Sequence, residues 1–207
     1  MTSWDVHAAA RLEELRGQFE SAGLSEFVRA AASEVWRINR DRHEPEEAYD
    51  DAFTLSLISA RNLANRLLAE IPQCRQLRTA GVSAVKEAGS TVLRTAHADV
   101  RLVKAPHGSG RHPDFVSGFD WSPSEGRCAA ALRNHAAYAP PPSDPGSDPL
   151  FELALPGAEA AAARCRDVFL VWGAELSTGL TAGWIGFPTI GAPPWVSVTP
   201  LWWDVMP

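Results

Sequence analysis

Apolar positions recur every three or four residues through the first third of the chain and every second residue beyond Ser90. The first rhythm is helical and the second is that of strands. Leu12, Leu15 and Phe19 share one face of a helix predicted from Val6 to Glu20 and stopped by Gly23. A second apolar stripe, Leu24, Phe27, Val28, Ala31, Val35 and Ile38, follows, with Ser25 as its expected N-cap. Arg37, Arg40 and Arg42 fall near its end, where the helix dipole favours cations. The third helix is predicted from Glu46 to Glu70, opened by Pro45 and the acids Glu46, Glu47, Asp50 and Asp51 and ended by Pro72. Its face of Phe53, Leu57, Ala60, Ala64 and Leu67 is widened by Leu55, Ile58 and Leu63, so it is expected to be the central helix. Ser56, Ser59, Asn62 and Arg66 add a polar stripe, expected to form a seam against the sheet.

The alternating stretches Thr91–Thr95 and Asp99–Lys104 predict two hairpin strands turning through Ala96-His97-Ala98. A long Gly-, Pro- and His-bearing loop, Pro106 to Pro123, precedes a short helix from about Glu125 to Tyr138. The Pro-rich run 140–149 reads as an exposed loop, Leu150–Leu155 as a strand, and Pro156 to about Arg164 as a small alanine-rich helix. Strands are then predicted at Val168–Ala174, Leu180–Phe187 and Trp195–Trp202, the first two joined as an antiparallel hairpin and the last at an edge or irregular because of Pro193, Pro194 and Pro200. The segment 166–204 holds Trp172, Trp184, Trp195, Trp202 and Trp203 and is expected to supply the core on which the rest packs. The pattern predicts an α+β fold in one domain, residues 1–207. A helical subregion (1–74) packs on a mostly antiparallel sheet subregion (90–207) with two short inserted helices.

Composition adds a few bounds. A chain of 207 residues with 45% hydrophobic and 21% charged residues can bury a substantial core. No apolar run approaches the roughly 18 residues of a membrane helix, and the N-terminus lacks the pattern of a signal peptide. Cys74, Cys128 and Cys165 are widely spaced and odd in number, which points away from a disulfide framework and towards the cytoplasm. Only Lys86 and Lys104 are lysines among 19 basic residues, a bias expected of a GC-rich bacterial genome. The net charge of -6 is uneven: 1–74 and 136–207 are acidic, whereas 75–135 is basic and carries His97, His107, His112 and His135.

That middle third holds the candidate chemistry. Arg94, Arg101, Lys104, Arg111 and Arg127, interleaved with Phe115, Phe119 and Trp121, form a candidate anion-binding surface in which cations meet phosphate and rings stack on bases. Asp99, Asp114, Asp120 and Glu152 are candidate carboxylates for a Mg or Mn site of a nuclease or other phosphodiester hydrolase. Against this, the E-x-K element of familiar nuclease cores is missing, since Glu175 is followed by Leu176 and Ser177. His107, His112 and Asp114 form a weak metal-ligand pattern within one loop. Trp202 and Trp203 are candidate anchors for a partner protein, and one of these neighbours should face away from the core. There is no G-x-S-x-G and no phosphate-binding P-loop. The expectation is therefore a non-catalytic cytoplasmic bacterial binding or regulatory protein without a cofactor. It would act on a protein partner, or on nucleic acid, through the basic, aromatic-bearing surface; the alternative is the metal-dependent hydrolase.

Overall fold

A computed structural model describes residues 2–3, 5–138 and 166–205. The order of elements is β1 (Thr2–Ser3), α1 (Val6–Ser21), α2 (Leu24–Asp41), α3 (Ala52–Glu70), α4 (Arg75–Thr79), β2 (Ser83–Glu87), β3 (Ser90–Arg94), β4 (Asp99–Lys104), α5 (Glu125–Tyr138), β5 (Asp167–Ala174), β6 (Thr181–Pro188) and β7 (Trp195–Trp203). Among the described residues the strands form one sheet in the order β1-β7-β6-β5-β4-β3-β2. Every pairing is antiparallel except β4 with β5. The fold is α+β. The predicted strand 150–155, the helix 156–164 and the loop 140–149 lie outside the described residues.

The sheet carries a layer on each face. α1, α2 and α3 pack on one side, burying Leu12, Phe19, Val28 and Leu63 with Leu170, Trp172 and Phe187. α5 and the 106–124 loop cover the other side, where Phe169, Val171, Trp184 and Trp195 meet Trp121 and Ala130. Strands β5 and β6 are buried along their whole length, which is why they read as continuous apolar runs. Of the adjacent C-terminal tryptophans, Trp202 is buried with its N–H on Thr181 Oγ1 at 3.1 Å, while Trp203 is 41% exposed. Asp204 clasps this end of the sheet to α2, accepting from Arg29, Ser33 and Thr181.

Three helix details differ from the sequence expectation. α2 begins after Gly23, whose φ of 76° provides the sharp turn; Ser25 is already inside the helix and buried, so it does not cap. α3 begins at Ala52 rather than Glu46, because Tyr49 has φ 55°, which no α-helix accommodates, and Asp51 caps Thr54 N at 2.6 Å. The middle helix of the layer is α2, packed against both neighbours. The α3 stripe also divides: Asn62 bonds Asn39 of α2 at 2.9 Å and Ser59 is buried, while Phe53 and Leu57 stay more than half exposed. The short elements β1, α4 and β2 carry too little periodicity to be anticipated.

A Cβ at Gly183 of β6 would sit 2.1–2.3 Å from the ring of Trp202. The Trp202 indole is buried and tied through its N–H to Thr181 Oγ1, which opposes its stepping aside. Gly183→Ala is therefore expected to lower unfolding free energy by about 2–3 kcal/mol, seen as an earlier midpoint in urea.

Candidate functional site

Alternation along β4 sends Val100, Leu102 and Lys104 towards the helical layer and Arg101, Val103 and Ala105 towards α5. Lys104 is thus a cation in an apolar row. Its register partner across the parallel junction is Trp172. On the neighbouring hairpin, Lys86 and Thr91 are paired. α3 crosses above these strands with Leu55, Leu63 and Leu67 buried, and leaves a cleft of 570 Å³ between itself and the sheet. Phe53, Leu57, Ala60 and Ala64 form the helical wall; Lys86, Thr91, Leu102, Lys104 and Trp172 form the floor. Pro106 and His107 close one end, with the His107 ring edge-on to Phe53 at 5.5 Å. Arg61, Lys86, Lys104 and Arg127 all line the cleft, and among the described residues no aspartate or glutamate does.

Lys104 is the most unusual of these groups. Its Nζ lies 4.7 Å from the ring centroid of Trp172 and 5.8 Å from that of Trp36, and no carboxylate among the described residues pairs with it. Burial pulls its pKa down to about 8. Keeping the ammonium charged at neutral pH therefore costs on the order of 3 kcal/mol, of which the two indole faces return a part.

Arg127 enters from the first turn of α5, where Gly126 lets the β2–β3 hairpin approach: a Cβ there would lie 2.9 Å from Ala88 Cβ. The Nε of Arg127 is buried without a partner. Burial first, and repulsion from Arg101 second, lower its pKa. Arg101 lies beneath the same hairpin with a side chain only 5% exposed, its Nη2 2.9 Å from Glu87 Oε1 and its Nε and Nη1 unpartnered. Glu87 also receives Arg94, and its hydrogen bond from Arg101 holds its carboxyl below the usual range. One carboxylate serves a cluster of three guanidinium groups, and positive charge is left over. The floor adds a further donor, the Trp172 N–H, which is buried without a partner.

No family model, curated protein or solved structure matches this chain. The site must be judged on its own geometry. Of the expected anion-binding residues, Lys104 and Arg127 share the cleft, and Arg101 and Arg94 stand behind it on Glu87. Arg111 lies apart, bonded to the Asp204 carbonyl at 2.6 Å and lying 4.7 Å from the Trp203 ring centroid. Trp121 is no stacking platform: it is buried against Phe169 and Trp195 and donates to Pro194 O at 3.1 Å. Phe115 and Phe119 pack into the same cluster. Trp202 is likewise interior, and Trp203 lies between Arg111 and His112.

The described candidate carboxylates, Asp99, Asp114 and Asp120, are each engaged with a different local partner. Asp99 pairs with Arg166 at 3.5 Å; Asp114 accepts from Val116 N and Ser117; Asp120 accepts from Ser122; Glu152 lies outside the described residues. His107, His112 and Asp114 are turned to different neighbours, and among the described residues no group of three His, Cys, Asp or Glu is placed to hold a metal. Arg61, Lys86, Phe53 and Leu57 were absent from the sequence candidates. Their signal was present only as charges and apolar groups on surfaces whose facing partner could not be known.

The unfolded chain keeps the proton on this lysine up to about pH 10.5, whereas the folded state releases it near pH 8. Wild-type stability is therefore expected to gain with pH across that window, as unfolding takes up a proton there. Lys104→Met should be about 1–2 kcal/mol more stable than wild type at pH 7. Urea denaturation at pH 7 and pH 10 checks both, since the difference between the proteins should shrink at the higher pH.

Proposed function

We propose that this chain is a binding protein for an oxyanion, phosphate-like in character, received in the cleft between α3 and β2–β4. The observation that carries the reading is Lys104: a half-buried ammonium, kept among the described residues without a carboxylate, in a cleft whose described lining holds three further cations and no acid. A structural lysine at such a place would be paired or replaced by an apolar residue at a gain in stability. A ligand anion supplies the missing partner. On binding it restores the lysine's proton affinity and satisfies donors of Arg127 that the protein leaves open.

The role is non-catalytic in this reading. The charged groups of the lining are donors, suited to holding an oxyanion in place; the groups able to accept a proton from water are His107 at the rim and Lys104 in its neutral form. The anion-binding expectation of the 94–127 stretch is thereby narrowed to Lys104 and Arg127, with Arg101 and Arg94 setting the potential behind them. The hydrolase alternative finds no support from Asp99, Asp114 and Asp120, each of which is occupied in a local turn or ion pair.

Calorimetric titration with inorganic phosphate and pyrophosphate tests the proposal. Binding is expected to weaken by about tenfold or more in Lys104→Met and in Arg127→Met, in keeping with the loss of a charged hydrogen bond. It should also weaken above pH 8 as the free lysine loses its proton, and with added salt. Phosphates that do not bind at all, or bind equally well to both variants, would remove the reading.

A further inference from the structure

We infer that the ligand is a low-mass amphipathic oxyanion, with a phosphate- or phosphonate-like head between Lys104 and Arg127 and an apolar chain or ring along Phe53 and Leu57. This rests on the oxyanion reading above and goes further by assigning the other half of the cleft. The two walls differ in chemistry. The sheet side presents the cations Lys104, Lys86 and Arg127 together with Thr91, a set of donors in the lining. The α3 side presents Phe53, Leu57, Ala60 and Ala64, one helical face at spacings of four, three and four. Phe53 is 56% and Leu57 59% exposed, so apolar surface of the helical wall is open to an occupant of the cleft.

Size and charge both favour this occupant. A bare tetrahedral ion fills a small part of 570 Å³, whereas volumes of about 300–1,000 Å³ are usual for small organic ligands. The head region offers donors from several directions, which matches the three oxygens of a phosphoryl group better than the two of a carboxylate. Phe53 is steadied by the edge-on His107 ring, so the apolar wall is pre-set at the mouth, where a tail would leave the head group. The same chemistry belongs to a free phosphorylated metabolite and to the head and first methylenes of an acidic lipid.

The test uses the whole chain and four probes: inorganic phosphate, phenyl phosphate, hexyl phosphate and hexanol, with a glutamate-rich peptide as a fifth arm. Phenyl and hexyl phosphate are expected to bind about tenfold or more tightly than inorganic phosphate, from burial of apolar surface against α3. In Phe53→Ser/Leu57→Ser, whose positions are exposed and whose folding is checked by circular dichroism, the ratio should fall towards one. Equal affinity of the three phosphates for the wild type would overturn the amphipathic assignment and leave the oxyanion reading standing. Failure of all three would remove both. Binding of the peptide alone would replace the small molecule with a polypeptide and overturn the inference, as would hexanol binding as tightly as hexyl phosphate. Flotation with phosphatidic-acid vesicles separates the sources. Capture by vesicles supports the assignment with a lipid head group as ligand, and binding of soluble phosphates without flotation supports it with a free metabolite.

Discussion

The rest of the structure depends on the burial of β5 from both sides. Phe169 and Val171 enter the core beneath α5, and Leu170 and Trp172 enter the core beneath the three N-terminal helices. With no solvent face, the strand is apolar from Val168 onward and its one buried acid, Asp167, is paired with Arg133, while its neighbours arrive in fixed register. That constraint reaches the cleft directly. The parallel pairing with β4 sets Lys104 beside Trp172, so the position of the ammonium follows from the packing of the central strand.

The charges around the cleft show what this arrangement withholds. Elsewhere arginines meet acids readily: Arg16 with Glu13, Arg37 with Glu34, Arg66 with Glu70. These exposed pairs each contribute little. The cations around the cleft are treated differently, since Glu87 is shared between Arg94 and Arg101 while Arg127 and Lys104 line open space. An acidic chain of net charge -6 has carboxylates to spare. Their absence from this one lining is a matter of placement, and it produces a local positive potential where the overall field has the opposite sign.

Periodicity made most of the fold legible. α1, α5 and the strands from β3 to β7 appear within a few residues of their expected bounds, because amphipathic alternation at those places is decided by the same burial that the structure displays. The break at Gly23 was legible, whereas the late start of α3 was set by the positive φ of Tyr49, which composition does not reveal. The candidate site was legible only in part. Lys104 and Arg127 could be named as basic residues, but their separation from Arg111 and Trp121 depends on which sheet face each residue occupies. A stretch of sequence that looks like one surface, from Arg94 to Arg127, wraps around the sheet and serves both layers. Arg61 and Phe53 join the site from a helix distant in sequence, with no local pattern to mark them.

The hairpin between β2 and β3 gives the cleft a mechanical asymmetry. It turns through Ala88 and Gly89, both at positive φ, and lies at the sheet margin, with β3 as the strand partner of β2. Its tip rests on Gly126, and it carries Lys86, Ser90 and Thr91 into the cleft. The floor, anchored through Trp172 in the main core, is stiff; the outer strand β2, none of whose residues is buried, is the compliant part of the wall. On the oxyanion reading proposed above, selectivity for charge falls to the rigid part of the molecule and tolerance of size to the margin of the sheet.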